Sequence, residues 1–277
     1  MFALLALSSS AFWGTSDFFA GLKSRTIAAP AVVAVSQAFA LAALSAILLV
    51  RHTGFSPSFT GNGPTWAIAA GASGAVGLVC FYTALASGTM GVVAPISSLG
   101  ALVPVFLGLL SGEHPSQTAW IGMAVALAGA ALASGPEMSG AVPARPFILA
   151  AIAAACFGMA LYCLDRGARY ALLETLWEMR MTSVSLFLIV ALVTRTTGGT
   201  RTRDLPALAV IGLADLTANG LFAFASSRSM VSVASVLASL YPVVTLFWAR
   251  VILSERLRTV QTVGVVMTLL GVIAIAL

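Results

Sequence analysis

The 277-residue sequence predicts an all-α membrane protein: ten transmembrane helices built as two inverted five-helix repeats. Three observations carry that prediction. The chain is 60% hydrophobic and only 8% charged, with a mean hydropathy of +1.03, whereas a soluble domain carries about 25% charged residues. Apolar runs of about 20 residues, the length that crosses the hydrocarbon of a bilayer, follow one another along nearly the whole chain. The second half also echoes the first at a nearly constant spacing.

The spans are read in order with that 20-residue ruler. The first, 2–22, begins MFALLALSSSA, which has the apolar core of a secretory leader. It lacks a basic flank and its apolar run continues through Ala20, so cleavage is not expected. Spans two to five fall at about 28–50, 65–86, 90–110 and 117–134. Spans six to ten fall at about 146–164, 170–193, 205–227, 231–253 and 259–277. The connections, such as RTTGGTRTRD from Arg195 to Asp204, hold most of the basic residues. Their short clusters suit topological flanking and lipid headgroups rather than nucleic acid.

The repeat is visible at single residues. AFWG at Ala11–Gly14 lies 144 residues before ACFG at Ala155–Gly158, and Arg25 stands 144 before Arg169. Glu113, Gly122 and Gly129 stand 142 before Glu255, Gly264 and Gly271. Five spans per unit is an odd number, so the second unit must enter from the opposite side of the bilayer. Such inverted symmetry suits alternating access, because exchanging the conformations of the halves turns a cavity from one side to the other.

Several stretches carry a resemblance to a known family. They are WGTSDFFAGLKSR (Trp13–Arg25), ALASGTMGVVAPISSLGALVP (Ala84–Pro104), SVLASLYPVVTLFWARVILSERL (Ser235–Leu257) and TVQTVGVVMTLLGV (Thr259–Val272). On them each half resembles the five-helix EamA unit of the drug/metabolite transporter superfamily, one unit over 1–135 and one over 146–277. The resemblance implies a multi-pass protein of a bacterial inner membrane that exports small metabolites, amino acids included. It also implies a central cavity lined by spans one, three, four, six, eight and nine, with five and ten as scaffold. The first half departs from the pattern at Gly100, which stands thirteen residues before Glu113 where the second half has Pro242 before Glu255.

The scaffold reading has independent support in the small residues Gly122, Ala126 and Gly129 of span five and Gly264, Thr268 and Gly271 of span ten, which form close-packing seams. Polar residues gather elsewhere. Asp215 and Asn219 share one face of span eight, and a mid-span carboxylate is expensive enough to require a role. Asp17 either reaches the interface beside Lys23 or Arg25, or serves gating or proton handling from span one. The repeat places Leu161 opposite it, so the fold itself does not require an acid there. The candidate substrate cavity therefore comprises Trp13, Asp17, Tyr82, Ser98, Tyr162, Asp215, Asn219, Ser239 and Tyr241. Glu178 and Arg180 are candidates for a conformational ion pair, with Asp215 or a Glu as partner of the Arg. Pro95, Pro104 and Pro242, each removing a backbone donor, are hinge candidates.

The same residues argue against other functions. GASG at Gly71–Gly74 matches an intramembrane serine-protease motif, but the two histidines, His52 and His114, lie outside the spans. They make no zinc site either, and no phosphate-binding loop is present, so neither an enzyme nor a cofactor or metal is expected. The expected partners are a small-molecule substrate and the lipid bilayer, with proton coupling through Asp17 or Asp215 and the oligomeric state left open. A scaffold subunit and a channel remain as the other functional classes. Orientation is divided. The family resemblance places both termini inside, while the lysine and arginine count, four in the loops then inside against eight outside, runs against the positive-inside rule.

Overall fold

The computed structural model describes residues 1–50, 62–87, 90–134, 144–196, 198–253 and 259–276. These are helical throughout, with no strand among the described residues. The elements are α1 (Phe2–Lys23), α2 (Ala29–Val50), α3 (Gly63–Ser87), α4 (Met90–Ser98), α5 (Leu102–Leu110), α6 (Gln117–Ser134), α7 (Ala144–Ala168), α8 (Leu172–Thr194), α9 (Leu205–Ser226), α10 (Val231–Ala238), α11 (Tyr241–Leu253) and α12 (Thr259–Ala276). Six stretches are long and apolar enough to cross a membrane: α2, α3, α7, most of α8, α9 with the turn before it, and α10 continued by α11. α1 is equally long, but Ser8, Ser9, Ser10, Thr15, Ser16 and Asp17 dilute its apolar character.

The distribution of side chains is that of a protein solvated by lipid. Large apolar residues face outward, as with Leu188, Ile189 and Leu192 on α8 and Leu269, Leu270 and Ile273 on α12. Polar ones are turned inward: Ser9, Gln37, Arg180, Asp215 and Asn219 are all buried. Lipid offers neither hydrogen bonds nor ion pairs, so polar groups find partners within their own helix, as Ser73 does at the Ala69 carbonyl, or between helices, as Gln37 does at Asp215.

Two of the apolar stretches are broken, and proline chemistry explains where. Pro104 cannot donate to the carbonyl four residues back, at Gly100, and its ring crowds that carbonyl. There α4 gives way to one tight turn, Leu99–Ala101, before α5 resumes. Pro242 acts in the same way toward Ala238, where α10 stops before α11 begins at Tyr241. Pro95 falls within α4, but its side chain lies outside the described residues, as do Glu255 and His52.

The halves pack in reciprocal fashion. α1 lies along α9 and α7 along α3, while α2 meets α9 and α8 meets α3. α6 pairs with α12 and α2 with α8, each helix against its own counterpart. The α6–α12 seam is close enough that a Cβ on Gly122 would sit 2.8 Å from the Gly271 carbonyl oxygen, and one on Gly271 would sit 2.7 Å from that of Gly122. Gly100 has a similar reason to be glycine, because the α7 backbone at Ala154 and Gly158 lies directly against it. That contact accounts for the departure from proline at this position.

Glu113, just after α5, reaches the first turn of α10. Its carboxylate accepts the amides of Val231 at 2.7 Å and Ser232 at 3.0 Å. The start of a helix has unpaired N–H groups and a partial positive charge, and the carboxylate satisfies both.

Candidate functional site

A cavity of about 80 Å³ lies at the meeting of the two halves. Trp13 and Asp17 reach it from α1, Gly74 and Leu78 from α3, and Ser97, Ser98, Gly100 and Ala101 from the break between α4 and α5. Phe157, Ala160 and Leu161 of α7 and Asp215 and Asn219 of α9 face them, and Ala238, Ser239 and Tyr241 complete the wall at the second break. Among the described residues, α6 and α12 contribute nothing to this lining. α8 does, through Met179, Arg180 and Ser183, and so adds a wall that the sequence reading assigned elsewhere.

Asp215 is the best-satisfied group in the site. One carboxylate oxygen accepts the Trp13 indole N–H and the Asn219 amide, each at 3.1 Å. The other accepts Gln37 Nε2 at 3.0 Å and stands 3.0 Å from Arg180 Nη2. This last contact is an ion pair by distance, and its angle falls short of a good hydrogen bond. Arg180 is 1% exposed, and its Nη1 donates to Gln37 Oε1 at 2.6 Å. Asp215, Arg180 and Gln37 thus close a triangle between α9, α8 and α2. Positions 180 and 36–37 correspond across the two halves, and they meet because α2 packs on its own counterpart α8.

Asp17 has a different environment. It is 6% exposed and accepts a hydrogen bond from the Tyr82 hydroxyl at 3.1 Å. No cation pairs with it among the described residues. Lys23, the interfacial partner that the sequence allowed, instead binds Asp204 at 2.9 Å. Asp17 therefore turns into the cavity. The equivalent position in the other half, Leu161, lines the same cavity, so its two corresponding positions carry one acid and one hydrocarbon.

Of the predicted cavity residues, Trp13, Asp17, Ser98, Asp215, Asn219, Ser239 and Tyr241 line this space. Tyr82 stands just behind it through its bond to Asp17. Tyr162 does not belong to it. It lies in a separate recess of about 450 Å³ at the end of α7, among Trp66, Ser111, Arg166, Arg169 and Tyr170. Its hydroxyl lies 3.2 Å from the Ser111 hydroxyl, and the Arg166 guanidinium lies 4.9 Å from its ring centroid. Residue 162 is two positions after Ala160, about 200° round the helix, so its side chain leaves α7 on a different face from the cavity lining. Glu178 is a second correction. Arg180 pairs with Asp215, and Glu178 forms no ion pair among the described residues, since two positions apart on a helix point away from each other. The hinge candidates Pro104 and Pro242 stand directly after the two helix breaks.

Neither Gln37 nor Glu113 was among the site candidates read from the sequence, where Glu113 served only as a marker of the repeat. Gln37 had a detectable signal as an amide inside an apolar run at the counterpart of Arg180. Glu113 had one in its repeat partner Glu255.

The profile of the EamA-like transporter family matches residues 1–135 and 145–277. The chain belongs to the EamA-like transporter family. It is thereby a multi-pass membrane protein of the drug/metabolite transporter superfamily, whose EamA members are transporters rather than enzymes. A solved crystal structure superposes on it with a TM-score of 0.81 over 100% of this chain and 98% of the other, at 18% identity. A likeness at that identity speaks for the fold alone. No curated protein matches the chain.

Proposed function

We propose that this EamA protein is a ten-span secondary transporter of a bacterial inner membrane that exports small metabolites, amino acids among them, by alternating access. Its working units are two inverted five-helix repeats, residues 1–135 and 146–277. The observation that carries the reading is the central cavity, walled by both halves, with Asp17, Arg180 and Asp215 around it and a helix break on two sides. Reciprocal packing supports it, since a structure in which α1–α9 mirrors α7–α3 can exchange its two arrangements at little cost.

At about 80 Å³ the cavity is well below the roughly 300–1,000 Å³ of pockets that enclose small-molecule ligands. A metabolite needs the halves to part. The breaks before Pro104 and Pro242 are where the wall can bend, with α6 and α12 holding the frame behind it. The test is counterflow of labelled solutes, amino acids first, in proteoliposomes containing the purified protein. Saturable exchange that is lost on Arg180→Met supports a transporter. Unsaturable flux points to a channel, and no flux for any solute points to a scaffold subunit.

A further inference from the structure

The recess of about 450 Å³ at the end of α7 stands apart from the central cavity and has a different chemistry. Its wall is cationic and aromatic. Tyr162 and Arg166 come from α7, Arg169 and Tyr170 from the turn after it, Trp66 from the start of α3 and Ser111 from the end of α5. α3 begins at this level, and α5 and α7 end there. The recess therefore lies at the edge of the apolar spans, where Trp and Tyr rings settle in a bilayer. Its volume is that of a pocket for a small molecule, roughly 300–1,000 Å³, a range the central cavity does not reach.

The charges around it do not cancel. Arg169 is committed to Asp165, to which its Nε and Nη2 donate at 3.0 and 3.2 Å. Glu113, two residues past Ser111, has both oxygens on α10 amides. Glu174, in the first turn of α8, is not part of the wall. Among the described residues, Arg166 has no carboxylate paired with it, and its shielded Nε has no hydrogen-bond partner. The Tyr162 ring, 4.9 Å from the guanidinium carbon, holds this cation at the recess. A shielded donor without an acceptor is costly, and an oxyanion placed on the arginine fork relieves it. The fold does not require an arginine here. The residues 144 positions before Tyr162 and Arg166 are Phe18 and Leu22, so the corresponding part of the other half is hydrocarbon.

We propose that this recess binds the phosphodiester of an anionic membrane phospholipid, with Arg166 as its ion-pair partner. Arg166, Arg169 and Asp165 sum to one positive charge, which calls for one negative charge, and a phosphodiester carries one. A phosphate monoester, at about 1.5 to 2 negative charges, over-matches it. The planar guanidinium offers paired N–H donors to two phosphate oxygens, and the Ser111 and Tyr162 hydroxyls stand in the same wall. Hydrocarbon has a place beside it as well. Phe106 and Leu110, 61% and 70% exposed, face outward on the last turns of α5, just before Ser111. A headgroup seated there ties α3 and α5 of the first half to α7 of the second. The inference goes beyond the transporter reading and is tested by binding alone.

The test is calorimetry on the purified full-length protein in a neutral detergent, titrated with dihexanoyl-phosphatidylglycerol and with dihexanoyl-phosphatidylcholine. The two share chains and phosphodiester, but the choline adds a positive charge that the recess repels. The expected result is one phosphatidylglycerol bound per protein, with clear preference over phosphatidylcholine. Arg166→Gln is expected to weaken that binding about tenfold or more, the worth of one charge-assisted contact. Arg166→Lys keeps the charge and loses the fork. It is expected to weaken binding several-fold, and it keeps the test open if the Gln variant does not fold. Arg228→Gln is the control for diffuse attraction. Arg228 stacks on Phe224 at 4.0 Å, in the same region as the Ser226 and Ser229 carbonyls that touch Arg169, and its loss is expected to leave binding unchanged. Parental affinity in the Arg166 variants overturns the proposal, as does an equal loss in Arg228→Gln or an absence of preference between the two lipids. Glycerophosphoglycerol, the headgroup without chains, and inorganic phosphate separate the sources of the anion. Binding of both at least about tenfold weaker than the lipid upholds a lipid site, since buried acyl carbons add affinity. Equal or tighter binding of either assigns the recess to a soluble phosphate and overturns the lipid assignment.

Discussion

Asp17 and Asp215 are both buried carboxylates in one cavity, yet the same isosteric change should affect them very differently. Asp215→Asn strips the counter-charge from Arg180, which is 1% exposed, and turns an acceptor into a donor facing Gln37 or Arg180. Removing one partner of a buried pair costs about 3–5 kcal/mol. Each kcal/mol shifts the midpoint of a protein this size by about 2–4 °C, so a fall on the order of 10 °C is expected. Asp17→Asn removes no ion pair, and the new amide oxygen still accepts from Tyr82. Its expected effect is within about 1 kcal/mol, the scale of one neutral hydrogen bond. The assay is thermal unfolding in detergent with a thiol-reactive fluorophore, which reports exposure of the buried Cys163. An Asp17→Asn fall as large as that of Asp215→Asn would refute the division of labour between the two acids. A double variant, Arg180→Met with Asp215→Leu, should recover much of the loss, because a matched apolar pair replaces an orphaned charge.

Three further outcomes follow from the packing. Glu113→Ala should cost about 1–2 kcal/mol of stability through loss of the α10 cap, and Gly108→Ala should cost a similar amount. A Cβ on Gly108 would sit 2.6 Å from Glu113 Oε2, so the double variant should be no worse than either single one in the same melt. Gly271→Leu should destabilise by about 3 kcal/mol or more, because its Cβ would press on the α6 backbone at Ala126 and Gly122, and the same exchange at the outward-facing Val266 should not. Pro242→Ala restores a backbone donor at the second helix break and should slow solute exchange while leaving the melting midpoint unchanged or higher. Exchange at the parental rate would show that the break is not a hinge.

Much of the helical layout was legible in the chain because lipid imposes a simple rule on composition. The runs at 28–50, 65–86 and 170–193 became Ala29–Val50, Gly63–Ser87 and Leu172–Thr194, with ends set by glycine, proline and polar residues. The glycines of spans five and ten could be read as seams from their spacing, and they meet across α6 and α12. Asp17 and Asp215 were conspicuous as charges in apolar runs, and both stand at the cavity.

The partners of those charges were a different matter. Periodicity says that Arg180 must avoid lipid, but it does not say whether Glu178 or Asp215 receives it. The choice fell to Asp215 because α8 and α9 bring residues 35 positions apart within 3.0 Å, with Gln37 of α2 closing the triangle. In the same way, Lys23 left Asp17 for Asp204, and Tyr162 fell beyond the cavity although its neighbour Leu161 lines it. The amino-acid pattern of a helix decides which face can be exposed to lipid, since that depends on side-chain solvation alone. The partner that a buried polar group finds depends on the rotation and depth of one helix against another, which only the packed protein sets.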